Sequence, residues 1–96
     1  MSKADRQSAY WMKREDDRIL EFLNEEGMAS PELTAREVFN SVTPGHVEER
    51  LTMLQYAGLV FCVGIKSYEL TGAGRRYLSG ELDAGHQPTP TIDKLR

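Results

Sequence analysis

The side chains able to make and break bonds are few and scattered. His46 and His86 are the two histidines, forty positions apart, and Cys62 is the one cysteine. No Ser-His-Asp set and no metal-ligand spacing appears among them. Gly72-Ala73-Gly74 lacks the Gly-Lys-Ser/Thr that a phosphate-cradling loop requires. Cys62 sits in the apolar run Leu59-Val60-Phe61-Cys62-Val63, where a small core residue is expected. A single cysteine also rules out an intramolecular disulfide. Neither an enzyme nor a bound cofactor or metal is expected.

What remains is recognition by hydrogen bond and charge. Thr43-Pro44-Gly45-His46-Val47-Glu48-Glu49-Arg50 offers a hydroxyl, a bare backbone at Gly45, and donors and acceptors at His46, Glu49 and Arg50. Such groups match base-pair edges: a carboxylate accepts from the cytosine amino group, and a guanidinium donates to guanine. Thr34 and Arg36 form a second candidate set, at a helix start where backbone N–H groups suit a phosphate. Lys66 and Ser67 form a third, at the tip of a turn where a cation can reach a neighbouring phosphate. Each has an ordinary structural alternative: Thr43 as a helix cap, Glu49 and Arg36 as solvated charges.

Local signals say which elements carry these groups. A helix is expected over 16–26, with Met12, Ile19 and Leu23 on one face and Gly27 as its stop. Residues 28–33, containing Ser30-Pro31, read as a short extended segment. Thr34-Ala35-Arg36-Glu37 fits a capping box, so a two-turn helix is expected from Thr34. Thr43 as N-cap and Pro44 at the first helical position open a third helix. Its inward residues are Val47, Leu51 and Leu54, Gly58 ends it, and Met53 and Tyr56 lie toward the outer face. The β-branched run 59–63, the turn Gly64-Ile65-Lys66 and Ser67-Tyr68-Glu69-Leu70 make a hairpin. Thr71 caps a last helix whose inward positions are Ala73, Gly74, Tyr77 and Leu78.

That order predicts an α+β winged helix-turn-helix over residues 11–84: a three-helix core, a β-hairpin wing and a C-terminal helix. Residues 1–10 form an N-terminal arm with no evident cap, and the Pro-containing stretch 85–96 reads as an unstructured tail. In such a fold the third helix enters a major groove and the hairpin reaches the backbone beside it.

The chain resembles the phage-repressor-like winged-helix proteins of halophilic archaea, relatives of the phi-H phage repressor. The stretches that carry the resemblance are Trp11-Met12, Asp16 to Leu23, Leu51 to Val60, Tyr68 to Thr71, Gly74-Arg75 and Tyr77 to Ala84. They cover most of residues 11–84. The segment ahead of the first helix departs from the pattern, with Lys13-Arg14-Glu15 where Thr-Pro is common. The resemblance implies a DNA-binding transcriptional regulator, usually a repressor, acting as a dimer on double-stranded DNA in a salty cytoplasm.

Charge complicates that expectation. The whole chain carries −3, and residues 31–60 set Arg36 and Arg50 against Glu32, Glu37, Glu48 and Glu49. DNA-binding modules of this size are usually positive. At ~1 M salt the screening length falls to about 3 Å, so distant repulsion vanishes and short-range contacts must carry binding. The alternative is a winged-helix module that binds protein through Met53 and Tyr56 without reading DNA sequence. Forty per cent hydrophobic residues in 96 suffice for one modest core, though a chain this short favours a partner subunit. Tyr10 and Trp11, together with Tyr77 of the last helix, are candidates for a homodimer seam, with core packing as the alternative. No apolar run approaches the ~18 residues of a membrane span, and the start lacks a signal-peptide stretch, so a cytoplasmic location is expected.

Overall fold

Three of the four helices open on a hydroxyl that closes an orphan backbone N–H. Ser30 accepts from Leu33 at 3.0 Å, Thr43 from His46 at 3.1 Å and Thr71 from Gly74 at 3.0 Å. The computed structural model describes residues 6–91, and the order is α1 (Arg14–Glu26), α2 (Pro31–Val38), α3 (Pro44–Tyr56), β1 (Val60–Val63), β2 (Ser67–Leu70) and α4 (Gly72–Leu78). This is the expected α+β winged helix.

One start differs from expectation. α2 begins at Pro31 with Ser30 as its cap, not at Thr34. The Ser-Pro pair does here what Thr-Pro does for α3: the hydroxyl caps, and proline fills the first helical position, where its missing N–H costs nothing. Thr34 is therefore inside the helix and fully buried, its hydroxyl donating to the Ser30 carbonyl at 2.9 Å.

The apolar stripes of α1 (Ile19, Leu20, Leu23) and α3 (Val47, Leu51, Leu54) meet in one core, closed by Leu59, Val60, Leu70 and Tyr77. β1 and β2 pair antiparallel, Val60 opposite Leu70 and Val63 opposite Ser67. Ala29, just before α2, adds a bridge to Tyr68, giving the wing a third short rung. The hairpin then runs outward, so the core covers Val60, while Phe61 and Cys62 are exposed. Cys62 is thus a surface thiol rather than the expected core residue. Packing is tightest at Gly74, where a Cβ would lie 2.2 Å from the Leu59 carbonyl oxygen. No side chain can stand there while α4 keeps its seat.

Both ends pack more than expected. In the arm, Arg6 donates to the Leu78 carbonyl at 2.9 Å and to Glu21 at 2.6 Å. Gln7 bridges Asp83, and Ala9 is buried. Residues 85–91 lie against the body: Gln87 donates to the Ala57 carbonyl at 2.9 Å and Pro90 is buried. Residues 1–5 and 92–96 lie outside the described residues.

Candidate nucleic-acid interface

α3 turns one face inward. Val47, Leu51 and Leu54 are fully buried, which sends Pro44, Gly45, Glu48, Glu49 and Gln55 to solvent. At Gly45 a Cβ would meet nothing nearer than the Thr43 hydroxyl at 3.9 Å. Glycine there is not demanded by packing, and it leaves the helix start open to close approach. Met53 and Tyr56 are half-buried at the edge of this face.

Arg50 overturns the expectation that it reads a base. It is 5% exposed, and its guanidinium grips Asp16 of α1 twice, Nε to Oδ1 at 2.8 Å and Nη2 to Oδ2 at 2.7 Å. Nη2 also donates to the Trp11 carbonyl at 3.3 Å. The bond to Asp16 raises the already high basicity of the guanidinium. Arg50 is an internal strut between α1 and α3. The sequence held the signal: Arg50 falls within the stripe 47/51/54, and Asp16 within 19/20/23, one opposite charge in each.

His46 is also tied to α1, its Nε2 standing 3.2 Å from a Glu15 carboxylate oxygen. A backbone hydrogen bond, and then the contact with His46, hold the Glu15 carboxyl below the usual carboxylate range. Arg36 is exposed and pairs with Glu37 at 3.5 Å. Lys66 stands at the wing tip, exposed, 3.6 Å from Glu32 of α2, with half-buried Ser67 beside it. Thr34 cannot touch DNA, because it is buried beneath its own helix.

Of the dimer candidates, Tyr77 is excluded. It is fully buried in its own core, its hydroxyl donating to Asp17 at 2.6 Å and lying 2.8 Å from the Ser8 hydroxyl. Trp11 is half-buried against the core, whereas Tyr10 is 89% exposed. Arg18 went unnoticed in the sequence. Its Nη2 donates to the Val38 carbonyl at 2.7 Å and its guanidinium lies 5.1 Å from the centre of the Phe39 ring. An arginine four residues after Arg14 was the available clue.

A short helix, a turn, a capped outward-facing helix and a lysine-tipped hairpin define the winged helix-turn-helix class. The sequence matches a family model described as a winged helix-turn-helix phage repressor over residues 6–87, and the chain belongs to that family. A solved structure, the PhiH1 repressor-like protein from Haloarcula marismortui, is similar. The two are 36% identical, the match covers 88% of this chain and 97% of that one, and the TM-score is 0.81. No curated protein matches. Family and fold together make this a DNA-binding regulator in general terms, in a family of regulatory domains that is not typically enzymatic. Among the described residues no group of three or more His, Cys, Asp or Glu side chains could hold a metal, and no helix is long and apolar enough to cross a membrane.

Proposed function

We propose that the protein is a cytoplasmic transcriptional repressor that, as a homodimer, covers a promoter-overlapping operator and blocks it sterically, without cofactor or bond-making. The observation that carries this reading is the outward face of α3 beside the wing. α3 has 13 residues, about 20 Å of rod, and among the described residues nothing covers Pro44, Gly45, Glu48 or Glu49. A major groove about 12 Å wide admits such a rod. Thr43 and Gly45 let the backbone approach closely, while His46 and Glu49 face base edges, Glu49 as acceptor for a cytosine amino group. Lys66 and Ser67 on the wing and Arg36 on α2 take phosphates, each cation exchanging its surface glutamate for the duplex. Those pairs are exposed, so little is lost when they open. Tyr10, the most exposed aromatic residue described, is the remaining candidate for the dimer seam.

The test is retention of genomic DNA fragments across a salt series. Retention of a defined fragment above a random-sequence control supports the reading, and Lys66→Glu should weaken all fragments alike. Retention no better than the control at every salt concentration sinks it. That result would favour the second reading, a protein-binding module, for which the observations are the acidic pair Glu48 and Glu49 and the half-exposed Met53 and Tyr56 on the same helix.

A further inference from the structure

The docking just described uses α3 and the wing, and leaves a polar cleft on the other side of the α3 start unused. The cleft, about 340 Å³, is lined by Arg14, Glu15 and Arg18 of α1 and by Asn40 and Ser41 of the turn joining α2 to α3, together with Phe39. Four-residue spacing puts Arg14 and Arg18 one turn apart on one face of α1. Both are exposed. Like charges so placed repel within a helix, and Arg14 at the first position also opposes the helix dipole. The neighbouring Glu15 makes its ion pair with His46 at 3.2 Å rather than with either arginine, and Arg18 borders Glu21, Glu25 and Glu37 on its far side. Arg14 enters no ion pair among the described residues. Arg18 is oriented by the Phe39 ring and by its one bond to the Val38 carbonyl. A guanidinium has five N–H donors in a planar fork, so donors remain for an oxyanion.

This cleft does not stand alone. A second furrow of about 420 Å³ shares Phe39, Asn40 and Val42 with it and runs past Arg36 to Pro44, the first residue of α3. Glu32 lines that furrow and pairs with Lys66 on the wing. Arg14 and Arg18 thus line the cleft and Arg36 the adjoining furrow, and Lys66 reaches that furrow's edge through Glu32, on a protein whose net charge is −3.

We infer that the cleft between α1 and the α2–α3 turn seats a backbone phosphate of the duplex that receives α3. Arg14 and Arg18 supply charge and a planar fork, and the Ser41 hydroxyl and Asn40 amide supply neutral donors. The duplex is then held on both sides of the reading helix, by the wing at one end and by this cleft at the other. The inference rests on the reading of α3 as the docking helix.

The test measures binding of the full chain to a retained genomic fragment and to random DNA across a salt series, for wild type, Arg14→Gln, Ser41→Glu and Lys66→Gln. Thermal unfolding checks that each variant folds. Arg14→Gln should weaken both DNAs by a similar factor, about threefold to tenfold, and reduce the slope of log K against log salt by roughly one per protomer. Ser41→Glu, which places a carboxylate among the donors, should weaken binding by more than about tenfold. Wild-type affinity and slope in both cleft variants, with weakened binding in Lys66→Gln, overturns the cleft and leaves the docking of α3 standing. Absence of specific retention by the wild-type chain overturns the docking itself, and the cleft with it. A free-anion site is separated by inorganic pyrophosphate. If pyrophosphate raises the melting temperature of wild type but not of Arg14→Gln, while DNA affinity is the same in both, the cleft takes a small anion and the inference is wrong.

Discussion

At the scale of single residues, the Asp16–Arg50 pair governs most of what a substitution will do. A buried ion pair adds little net stability over an apolar pair, yet losing one partner strands a buried charge. Asp16→Ala should therefore cost about 3–5 kcal/mol in denaturant unfolding. The double variant Asp16→Leu, Arg50→Met should recover most of that. Arg50→Ala should likewise lower stability and leave base preference unchanged, the reverse of what its place on a reading helix suggests. The pair was legible as two charges inside apolar stripes, but the polar register of a recognition helix predicts the same arginine outward. Only the partner's position, 34 residues earlier, separates the two. Tyr77 sets an alkaline limit. Burial first, and then its bond to Asp17, raise the phenol above its ordinary value of 10.0, and burial does the same for Tyr68. Ionisation thus favours the unfolded chain: the stability is fully present below pH ~10 and is lost as pH rises toward and through the raised values. Unfolding measured across that window should steepen with pH, and Tyr77→Phe should flatten the slope while lowering stability at neutral pH.

At the scale of elements, caps and close contacts decide where helices begin and how they sit. Replacing Ser30 by Ala should cost about 1 kcal/mol, as should Thr43→Ala, because each hydroxyl closes one orphan N–H. Thr34→Ala, by contrast, should act through lost internal packing and a lost bond to the Ser30 carbonyl, with no effect on the helix start. Gly74→Ala should destabilise by about 1–3 kcal/mol or more, since α4 must move off the Leu59 carbonyl to admit a methyl. Thermal unfolding of the four variants side by side ranks these effects. The order of elements was readable because periodicity and caps are local. The start of α2 was misplaced because two local rules, a Ser-Pro start and a capping box, compete over the same ten residues. Contact with the body decides the packed stretch 85–91 instead: prolines and glycine exclude a regular helix there, yet permit the irregular path that brings Gln87 to Ala57.

At the scale of the whole molecule, charge and assembly set the working conditions. Binding driven by four cations per protomer should show a log–log salt slope no steeper than about 4 per protomer, at ~0.9 per phosphate contact. A protein of this net charge should therefore lose less affinity with salt than a strongly basic module does. Light scattering should give a dimer mass that falls to a monomer in Tyr10→Ser, while a monomer mass in the wild type would remove the homodimer from the proposed function. The doubly bonded guanidinium between α1 and α3 has one more outcome at this scale. In the proposed docking, a rod pinned to its scaffold cannot swivel to suit a poorly shaped site, so any misfit is absorbed by the nucleic acid. Operators should then be ranked by how easily their untouched base-pair steps bend and twist, as much as by the bases that α3 meets.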